Sequence, residues 1–190
     1  METERFEAFI DAILAIIITI IVLEIPLAVD GSWQALIDIK FEFIIYAISF
    51  MICFNFWNFN NNIFSIVNKV DPKVIWTMGL TLFVFSLLPY LTTFVAENFY
   101  VFFPQLLYGL VFIITAILSI LISKFLKESD PGTIALQVAL KDHAVFKITI
   151  ALVVVGIIIG YFAFPPAVMI TCILSLICTW VYPKIQYRFN

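Results

Sequence analysis

The chain has 190 residues, 64% hydrophobic and 12% charged, with mean hydropathy +1.12 and a formal net charge of −3. Soluble domains carry about 25% charged residues, so this composition describes an integral membrane protein with almost no mass outside the bilayer. A nucleic-acid partner is excluded, because no basic patch exists to neutralise phosphates.

The apolar residues fall into runs long enough for helices that cross a bilayer, which need about 20 residues each. The fold class is therefore all-α and polytopic. Six spans are predicted, at about 5–28, 40–66, 73–97, 101–125, 144–163 and 166–186, forming a single six-helix domain over 1–190. Chemistry marks the breaks. Asp30-Gly31-Ser32 is turn-forming, and Asp71-Pro72 separates the second and third spans. Glu97-Asn98 is short and polar, and Lys127 to Gly132 combines charge with helix breakers. Pro165-Pro166 lacks two backbone donors and ends the fifth span.

Lysine and arginine set the expected orientation. With the N-terminus cytoplasmic, Arg5, Lys69, Lys73, Lys124, Lys127, Lys141, Lys147, Lys184 and Arg188 lie inside, and only Lys40 lies outside. That bias places both termini in the cytoplasm. No internal duplication is visible, so cyclic assembly of several chains is the simpler route to a central pathway.

The first span is not uniformly apolar. Arg5, Asp11, Thr19 and Glu24 interrupt it, and charged groups inside a membrane generally face protein or water. At 100° per residue, Ala12, Ile16, Thr19 and Leu23 share one narrow stripe, which Phe9 and Arg5 continue. This stripe suits either a common symmetry axis or ordinary helix packing. Asp11 lies more than a third of a turn away and points towards neighbouring helices. Its candidate hydrogen-bond donors are Trp57, Asn58, Asn60, Asn61 and Asn62 of the second span. Glu24, near the outer end, either concentrates cations at a mouth or is an interfacial carboxylate; Asp30, Asp38 and Glu42 make the same region acidic.

Arg5-x-x-x-Phe9-Ile10-Asp11-Ala12, followed by Ile16, Thr19 and Leu23-Glu24-Ile25, resembles the first helix of the transmembrane protein 175 family, with Ile10 in place of the signature serine. Trp57 matches a family tryptophan, and Ser86-Leu87-Leu88-Pro89-Tyr90 matches the family's leucine-proline-aromatic segment. Asn60 and Asn61 stand where relatives commonly have histidine, and Met78 where they often have asparagine. The second half is similar mainly in hydropathy.

The resemblance implies a potassium channel of the prokaryotic plasma membrane, built as a homotetramer of single six-helix chains and surrounded by membrane lipids. It implies no cofactor, with potassium and other monovalent cations as permeants. It assigns a constriction to Ile16 and Leu23, a cation-preferring threonine ring to Thr19, and a supporting polar network to Arg5, Asp11, Trp57, Asn60 and Asn61. Two other functions remain open at this point. One is a small secondary transporter or proton-coupled carrier using Asp11, and the other is a membrane scaffold without transport.

Gly156 to Phe162 (GIIIGYF) resembles the TVGYG potassium filter, but Phe162 replaces the closing glycine and no pore helix precedes it. Gly156 and Gly160 instead suit close helix packing. Enzyme chemistry lacks residues: His143 is the only histidine, and no metal or nucleophile set surrounds it in sequence. Cys53, Cys172 and Cys178 lie in apolar runs and are expected as small core residues. Ser129 to Lys147 carries an apolar series at Ile134, Val138 and Val145 and is expected to form a surface helix along the inner interface.

Overall fold

The computed structural model describes residues 3–68, 70–141 and 143–189. It is helical throughout: α1 (Thr3–Leu23), α2 (Trp33–Asp38), α3 (Lys40–Phe64), α4 (Pro72–Ser86), α5 (Leu88–Glu97), α6 (Phe102–Ser129), α7 (Ile134–Ala139), α8 (Ala144–Phe162) and α9 (Ala167–Phe189). Among the described residues, five stretches are long and apolar enough to cross a membrane: Glu4–Leu23, Lys40–Phe64, Pro72–Glu97, Phe102–Ser129 and Ile134–Phe162. The apolar part of α9, Ala167–Val181, is shorter.

The helix ends follow from their residues. Ser32 caps α2, its hydroxyl accepting the Ala35 N–H at 3.1 Å, while the Asp30 carboxylate accepts the Ser32 N–H at 2.8 Å. Those bonds hold the Asp30 carboxyl below its usual range, the Ser32 contacts being the main cause. Asp71 caps α4 by accepting the Lys73 N–H at 2.8 Å, with Pro72 in the first turn where its missing donor costs nothing.

Two boundaries differ from expectation. The first span ends at Leu23, not near 28; Ile25 and Leu27 prolong the apolar run, but Pro26 prevents the helix from following it. The third span breaks between α4 and α5. Pro89 cannot donate to the preceding turn, and the Leu87 N–H tightens onto the Val84 carbonyl at 3.2 Å.

α6 is the centre of the bundle, packing on α4, α5, α8 and α9. α1 packs on α3, α4 and α5, at one side of that centre. At the break in the third span, Thr92 donates to the Leu88 carbonyl at 2.6 Å. Its proton is thereby committed, so Ser49 donates to Thr92 at 2.7 Å, and Tyr108 donates to Ser49 at 2.7 Å. This buried hydroxyl chain ties α3, α5 and α6 together. α8 packs on α9 so closely that a Cβ on Gly156 would strike the Thr171 hydroxyl. At Gly160 a Cβ would meet Val168 at 3.1 Å. Glycines at this spacing let helix backbones approach in a membrane, where packing rather than water expulsion drives association.

The candidate pore helix

The two faces of α1 have opposite fates. Phe6, Ile10, Leu14, Ile17 and Ile21 recur at spacings of 4, 4, 3 and 4 and are all buried against the rest of the chain. Ile10, the residue at the serine position of the resembled signature, is one of them, so an apolar side chain suits that site. The opposite face carries Arg5, Phe9, Ala12, Ile16, Thr19 and Leu23, all exposed. Phe9 is 54% exposed, Ile16 57% and Leu23 80%.

On that face the Thr19 hydroxyl donates to the Ile16 carbonyl at 2.8 Å. Its proton is therefore directed back along the helix, and its oxygen lone pairs remain free to face outward. Ile16 and Leu23 lie about 10 Å apart along the axis, seven residues at 1.5 Å each, with Thr19 between them.

Asp11 is exposed and sits to one side of this face. The Trp57 indole N–H donates to its Oδ1 at 2.9 Å. Trp57 closes an aromatic column on α3: Phe50 and Phe54 stack with centroids 6.3 Å apart, and Phe54 meets Trp57 at 5.8 Å. The column limits the positions open to the indole.

The other polar residues expected around Asp11 have these surroundings. Asn60 is buried, but its amide donates to the Phe56 carbonyl of its own helix at 2.8 Å. Asn61 is exposed. Arg5 is exposed in the first turn of α1 and forms no ion pair with a described residue. The structure thus joins Asp11 to Trp57 by a hydrogen bond, while the Asn60 amide is bonded within its own helix.

Glu24 is exposed just past α1. With Glu42, Thr92 and Thr93 it lines a small cavity of about 10 Å³, whose other walls are Ile21, Ile25 and Ala96. One carboxylate oxygen of Glu42 is buried without a hydrogen bond to any described residue. Among the described residues, no three His, Cys, Asp or Glu side chains converge to hold a metal ion.

Two polar attachments were not legible beforehand. Asn55 of α3 donates to Thr179 at 3.0 Å and accepts the Trp180 indole N–H at 2.7 Å, joining α3 to α9. At the other attachment, the Asn68 N–H donates to Asp130 at 3.1 Å and its amide to Thr133 at 2.9 Å. Thr133 in turn donates to Asp130 at 2.9 Å. These bonds hold the Asp130 carboxyl below its usual range, the Asn68 N–H contributing most. An asparagine in an apolar run was the available signal for the first, and the partner more than a hundred positions away was not.

Residues 5–89, from the start of α1 into the Pro89 break, match the family described as the endosomal/lysosomal potassium channel TMEM175. A potassium channel of Chryseobacterium sp. is 33% identical over 164 residues, covering 85% of this chain and 84% of that protein. A potassium channel of Streptomyces collinus is 32% identical over 100 residues, covering 50% of this chain and 48% of that protein. The crystal structure of a lysosomal potassium-selective channel TMEM175 homolog from Chamaesiphon minutus superposes with a TM-score of 0.70, covering 94% of this chain and 96% of that one at 21% identity. The last comparison shows a shared fold, and the Chryseobacterium relative, similar over most of both chains, shows the family. The chain is a multi-pass, non-enzymatic membrane protein with bacterial homologues, and it belongs to the TMEM175 family of potassium channels.

Proposed function

We propose that this chain forms a potassium-selective channel in which four copies surround one axis and α1 lines the pore. Each copy contributes one six-helix domain, with both termini cytoplasmic and the whole in a prokaryotic plasma membrane. The observation that carries this reading is the division of α1. Its Phe6–Ile21 face is buried within the chain, while the Phe9, Ile16, Thr19 and Leu23 face has no partner there. Names of the relatives as potassium channels support the permeant.

In this arrangement Ile16 and Leu23 form apolar rings that narrow the pathway and gate it by dewetting. Potassium sheds water at lower cost than sodium, so a narrow apolar passage favours it. Thr19 oxygens, whose protons point to the Ile16 carbonyls, offer their lone pairs to replace part of the lost hydration. Asp11 and Trp57 act as positioning residues that hold α1 on α3. Glu24 and Glu42 give the outer end a negative potential that concentrates cations. Arg5, Asn60 and Asn61 sit near the cytoplasmic end, where Arg5 is available to a neighbouring copy.

Reconstituted vesicles with opposed potassium and sodium gradients test the function. Sustained, unsaturated potassium flux down its gradient is expected. Saturable flux coupled to protons or sodium would replace this reading with a transporter, and no flux at all would leave a scaffold.

A further inference from the structure

α7 is apolar on both sides. Leu136 and Leu140 are buried in the protein. Ile134 and Val138, one turn apart, point away from it and are 78% and 67% exposed. A free apolar pair on a short helix needs a partner. The orientation of the pair is fixed twice over, by the buried leucines and by the bonds from Asn68 to Asp130 and Thr133. A third restraint comes from Gln137, whose amide donates to the Lys127 carbonyl at 3.1 Å.

The surroundings identify the partner. α7 joins the ends of two membrane helices, α6 and α8, and the polar run from Lys141 to His143 sets it apart from the apolar run of α8. Gln137 holds α7 against the end of α6, so its exposed pair sits at the ends of membrane helices, the place of an interfacial helix. Lys127, Lys141 and Lys147 flank it. The nearby described acids are engaged, Glu128 with Lys124 at 4.0 Å and Asp130 with Asn68 and Thr133.

We propose that α7 is a lipid-docking foot: Ile134 and Val138 enter the acyl boundary of the leaflet, and Lys127, Lys141 and Lys147 engage anionic headgroups above it. This chemistry is that of an interfacial helix attracted to acidic lipid. The proposal does not depend on which helix lines the pore.

Spin labels at Ile134→Cys and Val138→Cys test it, in a Cys178→Ala background because Cys53 and Cys172 are buried. A label at Glu128→Cys serves as the aqueous reference. All three positions are exposed, and the elution volume of each labelled protein checks its fold. In vesicles of phosphatidylcholine and phosphatidylglycerol, labels at 134 and 138 should collide more with oxygen than with a water-soluble nickel chelate, and the label at 128 the reverse. Raising the phosphatidylglycerol fraction should shift 134 and 138 deeper. Nickel access at both positions would reject docking and point to a water-borne protein partner. Protection from both reagents would reject it in favour of a second copy of the chain. A depth indifferent to phosphatidylglycerol would remove the lysines from the account.

Discussion

α1 and α6 are equally apolar and differently placed. The best window of each has a mean hydropathy of 2.6, yet 28% of the α1 window is buried within the chain and 56% of the α6 window. Their polar residues differ in the same sense. In α6, Gln105, Tyr108, Thr115, Ser119 and Ser123 are all buried. Ser119 and Ser123 donate to carbonyls one turn back, each at 2.8 Å, and Tyr108 joins the Ser49–Thr92 chain. In α1, Asp11 and Thr19 are on the outside. Hydropathy therefore records that a helix sits in a membrane, and the placement of its polar groups records what it faces. α6 turns its hydroxyls inward, Ser119 and Ser123 onto its own backbone and Tyr108 across to α3. α1 leaves the Thr19 hydroxyl exposed on a face that the rest of the chain does not cover.

That contrast predicts separable effects. The largest on stability belongs to α6. Tyr108→Ala empties a fully buried aromatic site and strips Ser49 of its donor, so a loss of about 3–5 kcal/mol is expected. Denaturant unfolding in detergent measures it. A loss below about 1 kcal/mol would mean that α6 is not the structural centre.

Next comes the attachment of α1 to α3. Trp57→Phe removes the one indole donor seen on Asp11 and should cost about 1.5 kcal/mol, typical of a hydrogen bond to a charged group. The same measurement, with the assembled fraction read by mass, checks it. Asp11→Ala should likewise reduce assembly more than it alters ion preference. A fully assembled Asp11→Ala protein with changed selectivity would place that carboxylate in the ion path.

On the outward face of α1, stability should scarcely move while permeation changes. Thr19→Ala deletes a local bond only and should stay within about 0.5 kcal/mol of the parent, but weaken potassium-over-sodium preference. Ile16→Asn should wet the narrow region, raising conductance and eroding preference. Bi-ionic reversal potentials report both. Unchanged values would return this face to ordinary packing.

The smallest effect is at Asp130. Its carboxyl is depressed in the fold, so its contribution is fully present above its unfolded value of about 3.9 and fades as pH falls below that through the folded value. Asp130→Asn should abolish this acid dependence of the α3–α4 loop. Hydrogen exchange at the Asn68 amide, followed down to acid pH, checks the sign: protection should fall only on the acid side.

The positions of the helices were legible because apolar runs and their breakers are local properties. Asp71-Pro72 starts a helix and Pro165-Pro166 separates two, both by local backbone chemistry. Pro89 was equally visible, yet a proline inside a membrane run either kinks or breaks it, and only the turn at Leu87 decides. α2 was missed because six residues give no periodicity, although Ser32 was a readable cap. The stripe on α1 was drawn from a 100° rotation, but the same rule allows other stripes; which one the chain leaves uncovered depends on α3, α4 and α5. The partners of Asp11 were named as a group, and the sequence had no means to choose Trp57 over Asn60. That choice rests on which side of α3 meets α1, and Asn60 turns to Phe56 instead.

Cysteine scanning of α1 during potassium flux tests the central claim most directly. In a Cys178→Ala background, single cysteines from 12 to 23 are exposed to a charged thiol reagent in conducting vesicles. Modification at 16, 19 and 23 should block flux, while 14, 17 and 21, which the chain buries, should stay silent. Protection of 16, 19 and 23 in a protein that still conducts, with reactivity along another helix, would contradict the account and make α1 a packing element.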